Sequence, residues 1–416
     1  MFLTFLTKVA KPTTSLNQLV SFSTTFNYRQ SSSSSSSSNN RYNFKMEEVK
    51  LVKATWEQFK KSTYDNYEAW GSKLTVEQYW NREADSKEFA QNHRPWVLLN
   101  KDEEIVASCE TYEYDSFYCN LESDQPDIQY ATSQGIASVF VEQKYRGKGY
   151  AASLMKHLNA QVKNEGSMMT DLYSDIEPKV YEKCGWHIHP ANTFIIDSEI
   201  TMKIDSDITY KPVTIDTIDT VSDWIIKNND LYIKEKWFET KSEQQQQQQN
   251  DTTSSTSSSA SPIKYIYGKL MKKNHIMWHI KQVQTYANAL DTKPYPETFG
   301  CVANQPGNGG YIIWSHDIRD DCLNILSVAA DNQVVFYTLL EKALEEARTY
   351  KFKHVMFWVN DWSKFRSEWL TNIGIEISVR EGSVPMVCSF VKQGDQEKVD
   401  TSSSGKWINI EKFGWI

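Results

Sequence analysis

The stretch "VFVEQKYRGKGYAASLMKHL" (Val139–Leu158) runs from a strand through a basic, glycine-punctuated turn into an amphipathic helix. Upstream, "GIASVFV" (135–141) is a short apolar run rich in β-branched residues, the pattern of a buried strand. Downstream, residues 149–163 place Ala152, Met155 and Leu158 with Ala160 on one side of a helix. A helix N-terminus carries unpaired N–H groups and a partial positive charge. Gly147 and Gly149 lack a Cβ, so the backbone can bring its amides close around an oxyanion, and Arg146 and Lys148 add charge. That is chemistry for a phosphate or pyrophosphate; the plainer alternative is a loop that uses glycine only to bend. The turn is neither GxGxxG with an acid about twenty residues on nor GxxxxGK[ST], which disfavours a dinucleotide fold and excludes a P-loop.

Working outward, the first half predicts a strand at 48–55 and helices at 56–68 and 75–91, the second opening on a Thr75-x-x-Gln78 capping box. A hairpin follows at 95–114 about the polar turn Asn100–Glu104. After the glycine turn and its helix come a strand at 167–174 and a short helix at 178–186 with Pro178 near its start and Gly185 at its end. The second half repeats this order: hairpin 298–318, strand 323–329, helix 332–349 with Val335, Leu339 and Ala343 in register, strand 353–361, and helix 362–376 with a glycine at its end. Two diverged copies of one α/β unit are expected. In the second copy the strand-to-helix turn is "SVAADNQ", with an acid and neither Gly nor Arg, so only the first copy should hold a phosphate in this way.

The chain has 416 residues, enough for two domains. Residues 1–46 hold five basic residues and no acid, so all 53 acidic residues follow Met46. An acidic body argues against nucleic-acid binding, and no apolar run is long enough to span a membrane. Six scattered cysteines without a CxxC pair read as reduced, mostly buried thiols, with no metal site expected. The Ser-rich, basic 1–46 segment looks like a mitochondrial transit peptide, yet Met46 could itself start a protein. A cytoplasmic location is expected, with mitochondrial import as the alternative. The domains expected are a disordered 1–46 extension, a first unit over 47–205 and a second over 206–416. The Gln/Ser-rich tract 242–262 is expected as a solvated loop insertion.

"RGKGYA" (146–151) fits the Arg/Gln-x-x-Gly-x-Gly/Ala turn of the GNAT acetyltransferases, and "VYEKCGW" (180–186) looks like the Tyr-Glu-x-x-Gly-Phe element that closes that family's cofactor half. More narrowly, "TVEQYWNREADSKEFA", "IVASCETYEY", "LYSDIEPKVYEKCGWHIHP" and the terminal "INIEKFGWI" together resemble fungal lysine N6-acetyltransferases, which acetylate the side-chain amine of free L-lysine in lysine catabolism. Ser174 and Glu177 stand where many GNAT members carry Asn and Ala, which bears on how the pantetheine arm is held. The resemblance implies an α/β (α+β) fold: a mixed central sheet with flanking helices, followed by a second, degenerate GNAT-like domain.

It also implies acetyl-CoA as co-substrate and no metal. The pyrophosphate would sit on the amides of Arg146, Gly147, Lys148, Gly149, Tyr150 and Ala151, and the pantetheine arm along Val139, Phe140 and Val141. An N–H near Phe140 or Val141 would face the oxyanion, and Tyr181 would be the acid for the leaving thiolate, since phenol and thiol pKa values are close. A lysine ammonium must lose a proton before attack, and Glu110 is the choice for base or steering group, with Glu113 and Asp115 as alternatives. Arg82 is a candidate for the substrate carboxylate, while His187 and His189 stay outside the site. The second copy would wall the substrate, for instance through "IIWSHD" (312–317), or serve as scaffold. The partner expected is a small-molecule amine. Alternatives are a protein or peptide amine, another small amine, or a non-catalytic acyl-CoA-binding regulatory module.

Overall fold

Alternation of apolar and polar residues builds the first sheet. In the computed structural model, which describes residues 48–86, 92–202, 204, 207–251, 263–305, 308–359, 366–390 and 405–415, strand β1 (Lys50–Lys53) lies on β2 (Arg94–Leu99), and β2 on the 16-residue β3 (Ile105–Asn120). The 1–46 extension lies outside the described residues, as do 87–91 and 362–365 of two expected helices. Between β1 and β2, helix α1 (Trp56–Asp65) stops at Asn66, and a single further turn, α2 (Tyr67–Trp70), follows. Helix α3 (Val76–Ser86) opens on the expected box: the Thr75 hydroxyl accepts from Gln78 N at 3.2 Å and the Gln78 amide oxygen accepts from Thr75 N at 2.8 Å. Such caps contribute ~1 kcal/mol.

Strand β4 (Ile128–Phe140) pairs antiparallel with β3 along most of its length and parallel with β5 (Met169–Ser174) only at Gln134, Gly135 and Ile136. Between them runs α4 (Tyr150–Asn164), whose Tyr150, Leu154, Met155, Leu158 and Val162 face the core with Trp96, Cys109, Leu172 and Trp186. The short helix α5 (Lys179–Glu182) follows, and Gly185 ends it at φ 102°.

The chain then leaves its own sheet. After β6 (His187–Ile188), strand β7 (Asn192–Asp197) crosses to the second sheet, which holds β8 (Tyr210–Pro212) and, in the second half, β10 (Gly300–Gln305), β11 (Asn308–Asp317), β12 (Cys322–Ala330), β13 (His354–Trp358) and β14 (Ile377–Val379). In return β15 (Val384–Ser389) crosses back and pairs between β5 and β6. The first sheet therefore runs β1-β2-β3-β4-β5-β15-β6 and the second β8-β10-β11-β12-β13-β7-β14. Position by position these seven-strand paths are one topology, each with one parallel pair, at β4/β5 and at β12/β13. The two units are copies that have exchanged a strand. Both β9 (Tyr265–Lys269) and β16 (Gly405–Asn409) extend the first sheet at β3.

Helix α8 (Gln333–Thr349) packs Val335, Leu339 and Ala343 on the second sheet as expected. Of the helix expected at 362–376, only α9 (Glu368–Thr371) is helical among the described residues, and Gly374 follows it at φ 82°. The 242–262 tract corrects the expectation of a loop: residues 242–251 continue α6 (Ile218–Asp251), and 252–262 lie outside the described residues. Glutamine is a good helix former, and a helix already nucleated extends at little cost. Helix α7 (Lys273–Ala289), not anticipated from the sequence, buries Ile276, Ile280 and Val283 against Tyr112 and Tyr114 of β3. All six cysteines are buried free thiols. No helix among the described residues is long and apolar enough to cross a membrane.

Candidate active site

The glycine turn has the conformation its composition suggests. Gly147 and Gly149 take φ of 77° and 84°, the left-handed region that a side chain strains, and a Cβ on either would meet open space. Backbone shape, not crowding, requires glycine here. Gly149 is the N-cap of α4, and no side chain caps that helix. Arg146, Gly147, Lys148 and Gly149 are exposed, whereas Tyr150 packs into the core edge-on to Tyr145, so only its backbone faces the turn. Arg146 folds back, its Nε donating to Val141 O at 3.0 Å, with the guanidinium 5.7 Å from the Phe140 ring centre.

The second copy shows the contrast. There Asn332 caps α8, its Oδ1 accepting from Val334 N at 3.0 Å and Val335 N at 3.1 Å, while Asp331 Oδ2 accepts from Gly309 N at 2.7 Å. Those helix amides are occupied by the chain itself. Past their parallel pairing both copies leave a gap beside the inner strand, but Leu326–Ala330 are buried whereas Val139, Phe140 and Val141 are half-buried. One gap is filled and the other open.

The open edge is shaped by a bulge. The β3–β4 register shifts between Glu110, opposite Ala137, and Ser108, opposite Phe140, with Ser138 at φ 53°. This irregularity puts Glu110 and Ser138 on one small cavity of about 10 Å³, the room of a single water, shared with Ala54, Asn66, Trp96 and Cys109.

Glu110 is buried. Its Oε2 accepts from His93 Nε2 at 2.6 Å and from the Tyr112 hydroxyl at 3.1 Å. Burial works to raise this carboxyl, but the hydrogen bonds from His93, Ser138 and Tyr112 and the His93 charge outweigh it and hold the group below the usual carboxylate range. The other His93 ring nitrogen, Nδ1, is buried without a hydrogen-bond partner. Behind them Glu83 is pushed up by burial, against the pull of Arg82.

Tyr181 lies on the other face. It packs with Cys109 and the α4 side chains, while Glu110, Tyr112 and Tyr114 alternate to the opposite side of β3. Burial, reinforced by Cys109 and Asp175, raises the Tyr181 phenol far above its ordinary value.

The remaining candidates are placed elsewhere. Glu113 accepts from Asn92 Nδ2 at 2.7 Å and pairs with Arg94 at 3.5 Å, and Asp115 is ion-paired with Lys272. Arg82 is neutralised by Glu83, its Nε donating at 2.8 Å, and donates to the Tyr286 hydroxyl at 2.8 Å. His187 is in β6, and His189 stands 5.5 Å edge-on to Trp407. Sequence reasoning missed His93 and Ser138: a lone His before Arg-Pro carries no motif, and a bulge has no signature in a β-branched run.

Residues 49–189 match the acetyltransferase (GNAT) domain family, and residues 227–416 match the LYC1 GNAT-like C-terminal domain family. Among curated proteins the chain is similar to a lysine acetyltransferase of Yarrowia lipolytica, 27% identical over 144 residues, covering 28% of this chain and 35% of that protein. The chain thus spans about a third of the length of that curated relative. Among solved structures it is similar to a conserved protein from Enterococcus faecalis V583 described as a probable N-acyltransferase, with TM-score 0.51 at 12% identity, covering 82% of this chain and 73% of the other. A GCN5-related N-acetyltransferase from Kribbella flavida superposes with TM-score 0.49 at 13% identity over 83% of this chain and 72% of that one. The chain thus carries an acetyltransferase (GNAT) domain in its first half and a GNAT-like domain in its second.

Proposed function

We propose that the chain transfers the acetyl group of acetyl-CoA to the side-chain amine of a small molecule, free L-lysine first among the candidates. The observation that carries this reading is the uncapped α4 N-terminus behind two left-handed glycines, next to an open β4 edge with Glu110 on one face of the sheet and Tyr181 on the other. Lysine itself is supported by the similarity to a fungal protein of that name.

Bound acetyl-CoA supplies an activated thioester. The amides from Arg146 to Ala151 fit its pyrophosphate, because the N-cap Gly149 has no side chain to cap them and a Cβ on Gly147 or Gly149 would meet nothing within 4 Å. The free edge at Val139–Val141 would pair with the pantetheine amides, and an N–H at Phe140 or Val141 would donate to the developing oxyanion. Tyr181 keeps its proton at neutral pH, but burial takes its phenol away from the thiol range the sequence reading relied on, so it would give that proton only as negative charge builds on the departing sulfur. Glu110, ionised against His93, would attract the substrate ammonium and take its proton, directly or through one water in the adjoining cavity.

A peptide amine fits less well, since Tyr112 and Tyr114 on the Glu110 face are covered by Met271, Ile276 and Phe413. A non-catalytic acyl-CoA module would have no use for an ionised carboxylate and a protonated phenol beside the glycine turn's sheet. The test is thiol release from acetyl-CoA by residues 46–416 with L-lysine, L-ornithine, L-arginine or a lysine-bearing peptide. Turnover with lysine that Gly149→Glu abolishes supports the reading. Turnover with the peptide alone moves the function to protein acetylation, and acetyl-CoA binding without turnover on any amine removes the enzyme.

A further inference from the structure

Near the C-terminal end of β5 lie two cations that, among the described residues, have no ion-pair partner. Lys412 Nζ is 4.5 Å from the Trp358 ring centre and 3.8 Å from that of Trp415. The Arg380 guanidinium is 3.8 Å from the Trp358 ring. Arg380 spends Nη1 on Asn192 O at 3.0 Å and Nη2 on Ser383 O at 3.2 Å, and its Nε is buried with no partner. Among the described residues neither cation has an acid within ion-pair reach. Of the neighbouring acids, Asp317 takes Arg319 through Nε and Nη2, both at 3.2 Å, Asp175 accepts from Ser383 N at 2.7 Å, and Asp320 acts on Lys412 only from beyond ion-pair distance. Burial pushes the Lys412 amine down to about 7, with Asp317 pulling up and Arg319 and Arg380 pulling further down. Both cations are half-buried, and a cation partly withdrawn from water without an acid beside it favours the arrival of an anion.

The position suits a substrate. Trp358 stands 5.2 Å from the Tyr173 ring. Tyr173 shares a face of β5 with Asp171, whose partner Lys269 (2.6 Å) has its Nζ 3.9 Å from the Tyr114 ring centre. Tyr114, Tyr112 and Glu110 alternate onto that same face of β3. Arg82, the residue the sequence offers for a substrate carboxylate, already has its charge matched by Glu83.

We propose that Lys412 and Arg380, walled by Trp358 and Trp415, form a subsite for the carboxylate of an amino-acid substrate. The inference rests on the small-amine reading above and makes it specific: the site takes an amine that also carries a carboxylate.

The test is calorimetric binding to the full chain at pH 6.5 with CoA present, using L-lysine and 1,5-diaminopentane, which has the same reach but no carboxylate. L-Lysine should bind at least tenfold more tightly. Lys412→Met and Arg380→Met should each erase that ratio while leaving diamine affinity within threefold, and Lys412→Arg should retain most of it. Equal binding of the two ligands by the unaltered protein overturns the subsite without needing any variant, as does no binding of L-lysine. Variants that weaken both ligands alike overturn it too. If lysine binds with this dependence but no amine is acetylated, the subsite stands and the transfer reading falls. If the diamine is bound and acetylated as well as lysine, transfer stands and the subsite falls.

Discussion

Val387, from the C-terminal half of the chain, lies opposite Asp171 of the first sheet, inside a β5–β15 ladder of six residue pairs. The mirror relation places Ile196 of the first half opposite Val355 in the second sheet. Each unit therefore completes its sheet with a strand of the other, and Met386, Cys388 and Phe390 belong to the first unit's core.

A fragment ending near residue 212 lacks β15, so it exposes the outer edge of β5 and loses those core side chains. Removing a buried Met-sized side chain costs about 2–5 kcal/mol, comparable with the whole stability of a domain. Residues 46–212 alone should be insoluble or collapsed, while the full chain should unfold in urea as one transition seen alike by circular dichroism and tryptophan fluorescence. A folded, CoA-binding 46–212 fragment would contradict the exchange.

The two helix N-termini allow a paired test. Gly149→Glu puts a side chain at φ 84° and a carboxylate where an anion should sit, so affinity for CoA should fall by a factor of about 50 or more for strain and repulsion together. Asn332→Ala removes the cap of α8, which costs about 1 kcal/mol of stability, and should leave CoA affinity unchanged. Loss of CoA binding in the Asn332 variant would mean that the second copy also contributes to the phosphate site.

How much of this was legible in the sequence differs from residue to residue. The Gly147–Gly149 turn was readable because a helix start without a capping side chain is a local property, and the twofold order of elements because periodicity is local too. The exchange of β7 and β15 was not, since "NTFIID" and "VPMVCS" are equally good strands beside either sheet and only long-range pairing decides between them. The length of α6 escaped because low-complexity composition was read as loop although glutamine favours helix. Lys412 and Arg380 escaped because Arg380 lies in no motif and the terminal stretch that holds Lys412 gives no role to its lysine; the two meet at Trp358 only through the fold.

Tyr181→Phe keeps the ring and removes the proton. If the phenol protonates the leaving thiolate, kcat should fall about 100-fold with KM for acetyl-CoA within a factor of three, because general-acid contributions are typically of that size. Steady-state kinetics decides it. An unchanged kcat would return Tyr181 to a packing role, and a raised KM alone would make it a binding residue.

Acid stability follows from two histidines on α7. His275 stacks on Tyr114 at 4.4 Å between ring centres, and its Nδ1 accepts from Lys272 N at 3.0 Å, so that nitrogen carries no proton in the fold. His279 Nε2 donates to Phe413 O at 3.2 Å. Burial lowers both to about 3, from an ordinary value near 6.5. The folded state therefore binds fewer protons than the unfolded chain between pH 6.5 and 3. Their contribution is fully present above 6.5 and is lost as pH falls through that window, ~2 kcal/mol per histidine by pH 5. Urea midpoints measured from pH 7 to 5 should fall accordingly, and His279→Gln, which keeps a donor for Phe413 O, should flatten the slope by about half. A slope unchanged in that variant would show that His279 titrates normally in the folded protein, and that α7 does not keep its imidazole dry.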